Sequence, residues 1–389
     1  MLRRLRLQHF RNYTDQELCF SPGVNALLGR NGQGKTNVLE AIYYLALLRS
    51  FRTPNLDYLT EYGSGSFSIF GEVQDSNGTV RLGVSNGAER KLVVEGTPVH
   101  RASEFISRFM CAAFIPEDLT MVKGTPQSRR RFMNISLCQL SQEYLAALQE
   151  YNEALKNRNA MLKLASSYPK ASITAWDEVL AARAAAIETA RREMADEINA
   201  SLEELSRTFF PDGRKLSVNF LSGSFQLLEK SRPESREEFR TRYLDALSKN
   251  YERDCREGTT RLGPHRSDLP CLLDGRMLAN FGSEGECRTA AITVKLAVLE
   301  IMRRMRGGND ITMLVDDVIG ELDSVRRKAF LDTLASSGQV IFAGTSLPDA
   351  LPEDTAVFHV HAGKITAGER DASQTPLKIE KLNAPFLNL

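Results

Sequence analysis

Gly29-Arg30-Asn31-Gly32-Gln33-Gly34-Lys35-Thr36 is the stretch on which the fold turns. It fits the pattern GxxxxGK[ST] and lies between two informative neighbours. Before it, Val24-Asn-Ala-Leu-Leu28 is a short apolar run that reads as a buried strand. After it, Thr36 to Leu48 reads as a helix whose apolar face carries Val38, Leu39, Ile42, Leu45 and Ala46. Strand, glycine loop and helix in that order build a phosphate cradle. Glycines allow backbone N–H groups to turn inward onto phosphate oxygens, and the helix N-terminus adds partial positive charge. Lys35 is expected to reach the β- and γ-phosphates, and the Thr36 hydroxyl to ligate Mg²⁺. The implied ligands are ATP and Mg²⁺, with Gly29, Arg30, Asn31, Gly32, Gln33, Gly34, Lys35 and Thr36 as the binding set.

The complementary half lies far downstream. Thr312-Met-Leu-Val-Asp316-Asp317 is an apolar strand ending in two carboxylates. A parallel strand buried on both faces is apolar throughout, and ligands of open α/β sheets bind at strand carboxyl ends. Asp316 is the expected Mg²⁺-associated carboxylate, and Asp317 is expected to polarise the attacking water. The helical hairpin and its flanking segments separate Lys35 from Asp316, so the nucleotide domain is expected to be split by an insertion. Phe281-Gly-Ser-Glu-Gly-Glu286 opens a further helix. Ser283 and Glu286 match the S-x-x-E capping box, which accounts for both residues structurally. The same serine, Gly285 and the helix N-terminus also suit an anion, and a second molecule's γ-phosphate could be that anion.

Between the halves the texture changes twice. From about Ser66 to Val99, short strands with Asn77-Gly78 and Asn86-Gly87 turns predict an antiparallel meander. From about Ser136 to Phe210, apolar residues recur at steps of three and four, with a break at Ser166-Ser-Tyr-Pro-Lys-Ala. That pattern predicts two long helices in an antiparallel hairpin. A further hairpin is expected at Asp274-Gly275, a helix from about Ser283 to Met305, a buried strand at Val340 to Ala343, and a tail from Gly368. The expected domains are a split head over 1–116 and 259–367, a mainly helical insert over 117–258, and a tail over 368–389.

Bulk properties narrow the setting. At 389 residues the chain is long enough for two domains, and a net charge of +1 excludes a wholesale basic coat for nucleic acid. Its six cysteines include no CxxC pair, which argues against a zinc site and for a reducing compartment. No apolar run approaches a membrane span, and the N-terminal residues lack a signal-peptide core. A cytoplasmic location is the simplest expectation.

Together these elements resemble the ABC-type ATPase heads of the SMC and Rad50 superfamily, and within it the RecF family of bacterial recombination mediators. The resemblance runs from the N-terminal strand to about Lys364. It rests on Gly29 to Thr36 followed by Asn37, on His9-Phe-Arg-Asn-Tyr13, on Pro116-Glu-Asp-Leu119, and on Val122-Lys-Gly-Thr-Pro126 with Arg129-Arg-Arg131. Leu262-Gly-Pro-His-Arg266-Ser-Asp268, Asp316-Asp317-Val and Glu321-Leu-Asp323 complete it. It implies an α/β fold: an ABC-type ATPase head, with a mixed β-sheet, helices and an antiparallel β subdomain, carrying an inserted α-helical hairpin. It adds Asn37 and Arg11 to the nucleotide ligands.

It also implies a weak, DNA-stimulated ATPase that dimerises with ATP and clamps double-stranded DNA at gaps. RecR and RecO are the implied partners, with RecA loaded indirectly. Arg129 to Arg131, Arg183, Arg191, Arg192, Arg303, Arg304 and Arg306 are candidate DNA contacts. Three departures stand out: Glu286 where the signature usually has glutamine, Ser267 where aspartate is usual, and Gly320 before Glu321. The alternatives are an SMC- or Rad50-like structural ATPase, or an overcoming-lysogenisation-type ATPase carrying a nuclease.

Overall fold

The three central strands of one sheet are buried almost end to end, as parallel strands covered on both faces must be: Ile311–Asp316, Gln339–Gly344 and Val24–Leu28. Parallel strands Met110–Phe114 and Ala356–His361 flank them, and Lys364–Ala367 closes one edge antiparallel. Val24–Leu28 and Ile311–Asp316 therefore lie either side of Gln339–Gly344, and their carboxyl ends point the same way. In this computed structural model the described residues are 1–76, 78–224, 235–306, 310–335, 338–348 and 351–368. The expected tail lies outside the described residues beyond Gly368.

The helix that follows the glycine loop runs Lys35–Leu47. Its five expected apolar residues are buried, but so are Glu40, Tyr43 and Tyr44, so it is enclosed on nearly every side. Full burial of Val38, Leu39, Ile42 or Leu45 contributes on the order of 1.5–3 kcal/mol each. That burial fixes the loop at its head.

A second, wholly antiparallel sheet takes the order Tyr13–Cys19, Leu2–Phe10, Phe67–Asp75, Gly78–Asn86, Arg90–Val94, Thr97–Val99. The meander is thus present. Asn77 lies outside the described residues, and the register pairs Asp75 with Gly78 and Asn86 with Arg90. Buried Gln339 ties this sheet to the parallel one. Its amide oxygen accepts from Leu2 N (2.7 Å) and Thr312 Oγ1 (2.8 Å), and its amide nitrogen donates to the carbonyls of Leu2 (2.6 Å) and Ser21 (2.8 Å).

These elements belong to one of two units, Met1–Pro116 with Met302–Leu389; Glu117–Ile301 forms the other. In the second unit the long helices include Pro126–Leu140, Gln142–Leu162, Lys170–Phe209 and Arg236–Glu257, and most of the expected helix from Ser283, seen as Glu284–Arg306, also lies there. The expected first long helix is broken at Ser141, whose extended backbone ends one helix and whose side chain accepts from Tyr144 N to start the next. The expected hairpin is also not alone. Arg236–Glu257, opened by a Ser235–Glu238 capping box, buries Phe239, Tyr243, Leu247 and Tyr251. Arg158 joins all three helices: it donates to Asp177 (2.7 Å), Asp254 (2.7 Å) and Thr260 Oγ1 (2.8 Å).

The unit boundary falls at 301 rather than 258. Residues 259–301 are held to the helical unit by strand pairing of Cys271–Leu273 with Leu216–Val218, and by the Arg129–Asp268 ion pair. Asp274 and Gly275 both take positive φ, 50° and 76°, as the tight hairpin turn predicted at that dipeptide requires.

Candidate functional site

Gly29 leaves the end of its strand with no room for a side chain, since a Cβ there would lie 2.3 Å from the Val360 carbonyl oxygen. Gly34, at φ 116°, is both left-handed and crowded by the Asn12 amide and the Tyr13 hydroxyl. Only glycine fits this position, directly before the helix begins at Lys35. Gly32 takes φ 79° and is open on its Cβ side.

Lys35 is buried, and its Nζ donates to the carbonyl oxygens of Gly29 (2.7 Å) and Arg30 (2.9 Å). Burial lowers its pKa, while the negative charges of Asp316 and Asp317 act the other way. Thr36 Oγ1 donates to Asp316 Oδ1 at 3.1 Å, across 280 positions of sequence. The structure thus brings together the two halves that the sequence reading assigned to metal binding. A hydroxyl and a carboxylate are hard oxygen donors, which suits Mg²⁺. Among the described residues no group of three or more His, Cys, Asp or Glu could hold a metal. Asp317 is exposed and takes φ 50°, a left-handed conformation uncommon for residues with a side chain. Strain of this kind concentrates at functional positions.

The outer face of the loop is braced by residues that sequence reasoning missed. Tyr13 Oη donates to the Gly34 carbonyl (3.0 Å), and Asn12 Nδ2 donates to that of Gln33 (3.1 Å). Gln33 Oε1 accepts from Ala362 N (2.8 Å), in the turn between the last two strands. Asn37 Nδ2 donates to Asn12 Oδ1 (2.8 Å), and Arg52 Nη1 donates to Asn37 Oδ1 (3.0 Å).

Arg11, expected beside the nucleotide, commits two donors to the Glu40 carboxylate, at 2.8 and 2.7 Å. Glu40 is fully buried and also accepts from Ser50 Oγ. A lone glutamate within an otherwise apolar helix was the available signal, because a buried carboxylate must find a cation.

Ser283 and Gly285 lie in the Glu117–Ile301 unit. The capping box is formed: Glu286 Oε2 accepts from Ser283 N (2.7 Å), and Ser283 Oγ accepts from Glu286 N (3.3 Å). A Cβ on Gly285 would meet nothing within 4 Å. Glu286 also pairs with Arg214, and these contacts hold its carboxyl down at about 2.

The basic candidates divide. Arg129 and Arg191 are buried and internal, which corrects their reading as DNA contacts. Arg129 is paired with Asp268, while Arg191 donates to Tyr144 Oη (3.0 Å), the Pro264 carbonyl (2.7 Å) and Ser267 Oγ (2.6 Å). Ser267, where aspartate is usual, still serves as an acceptor for that arginine. Arg130 is half-buried and donates to the Ser267 carbonyl (2.7 Å), whereas Arg183 is exposed and paired with Glu150. The Arg306 side chain lies outside the described residues.

Residues 1–349 match the family model for the RecF/RecN/SMC N terminal domain. A DNA replication and repair protein RecF of Streptococcus agalactiae is 33% identical over 375 residues, 96% of this chain and 99% of that one. Its counterpart in Streptococcus pyogenes is 35% identical over 368 residues, 94% and 98% of the two chains. Among solved structures, that of the recombination mediator protein RecF with ATP in the RecFOR pathway matches with a TM-score of 0.87 at 28% identity, covering 95% of this chain and 97% of that one. An SMC head bound to the C-winged helix domain of ScpA matches at 0.55 and 13% identity, covering 96% and 98%, a likeness of fold alone.

Proposed function

The chain belongs to the RecF family of DNA replication and repair proteins, and from that premise we propose that it is an ATP-gated DNA clamp serving as a recombination mediator. The observation that carries this reading is the Thr36–Asp316 contact at 3.1 Å beside a buried Lys35, a triphosphate site assembled from both ends of the sequence. Gly29 to Asn37 wrap the phosphates with backbone N–H groups, and Lys35 exchanges its two carbonyl partners for phosphate oxygens. Thr36 and Asp316 hold Mg²⁺, which when bound neutralises charge on the phosphate oxygens. Asp317 takes the proton of the attacking water. Arg11, anchored by Glu40, keeps a secondary place at the nucleotide.

Ser283 and Gly285 of a second copy close over the γ-phosphate, so that ATP completes a symmetric dimer. Closure forms a groove for double-stranded DNA at gaps, and slow, DNA-stimulated hydrolysis reopens it. Split head, helical insert and tail carry these roles, with the insert extended from 258 to 301 so that it includes the signature segment. The place of the solved RecF in the RecFOR pathway supports RecR and RecO as partners, with RecA loaded through them in the bacterial cytoplasm.

Sedimentation of the full chain, with and without ATP, Mg²⁺ and duplex DNA, tests the reading. The expected result is a dimer only with ATP and a DNA complex only with the dimer. In parallel, Asp317→Asn should retain ATP, stay dimeric and release phosphate at least about a hundredfold more slowly. A monomer at saturating non-hydrolysable nucleotide would remove the clamp while leaving the phosphate site intact.

A further inference from the structure

The helix tip that carries Ser283 holds a negative charge of its own. Glu286 accepts from Ser283 N at 2.7 Å, so its carboxylate occupies an N–H group that would otherwise face an incoming anion. A phosphate brought to this tip meets a like charge within one turn of helix. Arg214 stands against that charge. Its Nη1 donates to Glu286 Oε1, its Nε donates to Asp212 Oδ2 at 2.7 Å, and its guanidinium lies 5.7 Å from the centre of the buried Phe210 ring. Three contacts fix the cation's direction. Both side chains of the Arg214–Glu286 pair remain partly exposed, so the pair lies at the surface on which Ser283 is presented.

We infer that Arg214 is a positioning residue for the ATP-closed dimer: shared between Glu286 and Asp212, it offsets the Glu286 charge, so that the Ser283 tip can receive the phosphate of a second copy. The inference rests on the dimer reading above. Arg214 acts through Glu286 and need not touch the nucleotide. Its work exists only because a carboxylate stands at 286. A glutamine there would keep the capping bond through its amide oxygen, remove the charge and make Arg214 dispensable. The arginine and the glutamate are thus one compensated unit, 72 positions apart.

The test compares four full-length proteins saturated with ATP and Mg²⁺: the parent, Arg214→Met, Glu286→Gln and the double variant. Methionine keeps an apolar stem over Phe210 without the charge, and a thermal melt confirms that each protein is folded. Dimer affinity is read by sedimentation velocity. Arg214→Met should weaken the dimer roughly tenfold, Glu286→Gln should match the parent or exceed it, and the double variant should return to within about threefold of the parent. A packing role for Arg214 predicts no rescue, so a double variant as weak as Arg214→Met overturns the inference. So does an Arg214→Met protein that dimerises like the parent. A parent that stays monomeric overturns the dimer reading and this inference with it, whereas a dimeric parent with four equal affinities overturns the inference alone.

Discussion

Lys35 and Arg158 are both buried cations, at 8% and 0% exposure, and they are built in opposite ways. Lys35 donates only to two neutral carbonyls of its own loop, and burial pulls its pKa down. Arg158 meets Asp177, Asp254 and Thr260 from three directions, and the two carboxylates outweigh burial to favour its charge. The first arrangement leaves a charge whose best partner is still to come. The second meets its carboxylates within the fold, leaving only Nη2 of the guanidinium without a hydrogen bond, and holds helices in register. A buried cation with neutral partners marks a ligand site; one with matched carboxylates marks a joint.

The largest effect should come from opening the joint. Arg158→Ala leaves Asp177 and Asp254 without their cation and should cost about 3–5 kcal/mol in denaturant unfolding. Replacing all three charged groups with apolar residues should recover most of it; no recovery would mean the cluster is not the source. Lys35→Ala should do the reverse, lowering ATP affinity at least about a hundredfold, or ~3 kcal/mol, while nucleotide-free stability changes by less than about 1 kcal/mol. Isothermal titration and a thermal melt of the same preparation separate the two quantities.

A third test uses a half-buried group that avoids charge altogether. His265 accepts from Tyr151 Oη at Nδ1 (2.7 Å), donates from Nε2 to the Thr260 carbonyl (3.0 Å), and is pushed by burial down to about 4. The unfolded chain, titrating near 6.5, binds the proton more readily, so stability is complete above pH 6.5 and falls as pH drops towards 4. The loss over that window should be roughly 2–3 kcal/mol, and a His265→Gln protein should lack this part of the acid sensitivity. The smallest effect belongs to the exposed Arg183–Glu150 pair: Arg183→Ala should change stability by less than about 0.5 kcal/mol. A loss of duplex affinity in that variant, with a shallower salt dependence, would make Arg183 a phosphate contact.

What could be read in advance follows the same division. The cradle and the strand ending in Asp316-Asp317 are contiguous patterns, in which glycine spacing and unbroken apolarity carry their meaning locally. The contact of Thr36 with Asp316 was foreseeable because the loop and helix that carry Thr36 follow the carboxyl end of one parallel strand, and Asp316 ends another in the same sheet. The bracing by Asn12, Tyr13 and Ala362 was not, because each bond joins a side chain to a backbone group of a distant segment, which no local pattern announces. Nor does a row of arginines disclose its direction: Arg129 turns inward to Asp268 while Arg183 faces water. The Arg236–Glu257 helix was legible, since Phe239, Tyr243, Leu247 and Tyr251 recur every fourth residue, but the charges around them hid that stripe. The boundary at 301 depends on a short strand pairing that neither segment announces alone.

The Lys170–Phe209 helix runs for 40 residues with no glycine or proline to bend it, about 60 Å of continuous rod. A rod of that length works as a lever. A tilt of about 5° at one end sweeps the other through roughly 5 Å, more than the reach of a hydrogen bond. A shift too small to break any contact at its base is therefore large enough to make or lose a whole set of contacts at its tip.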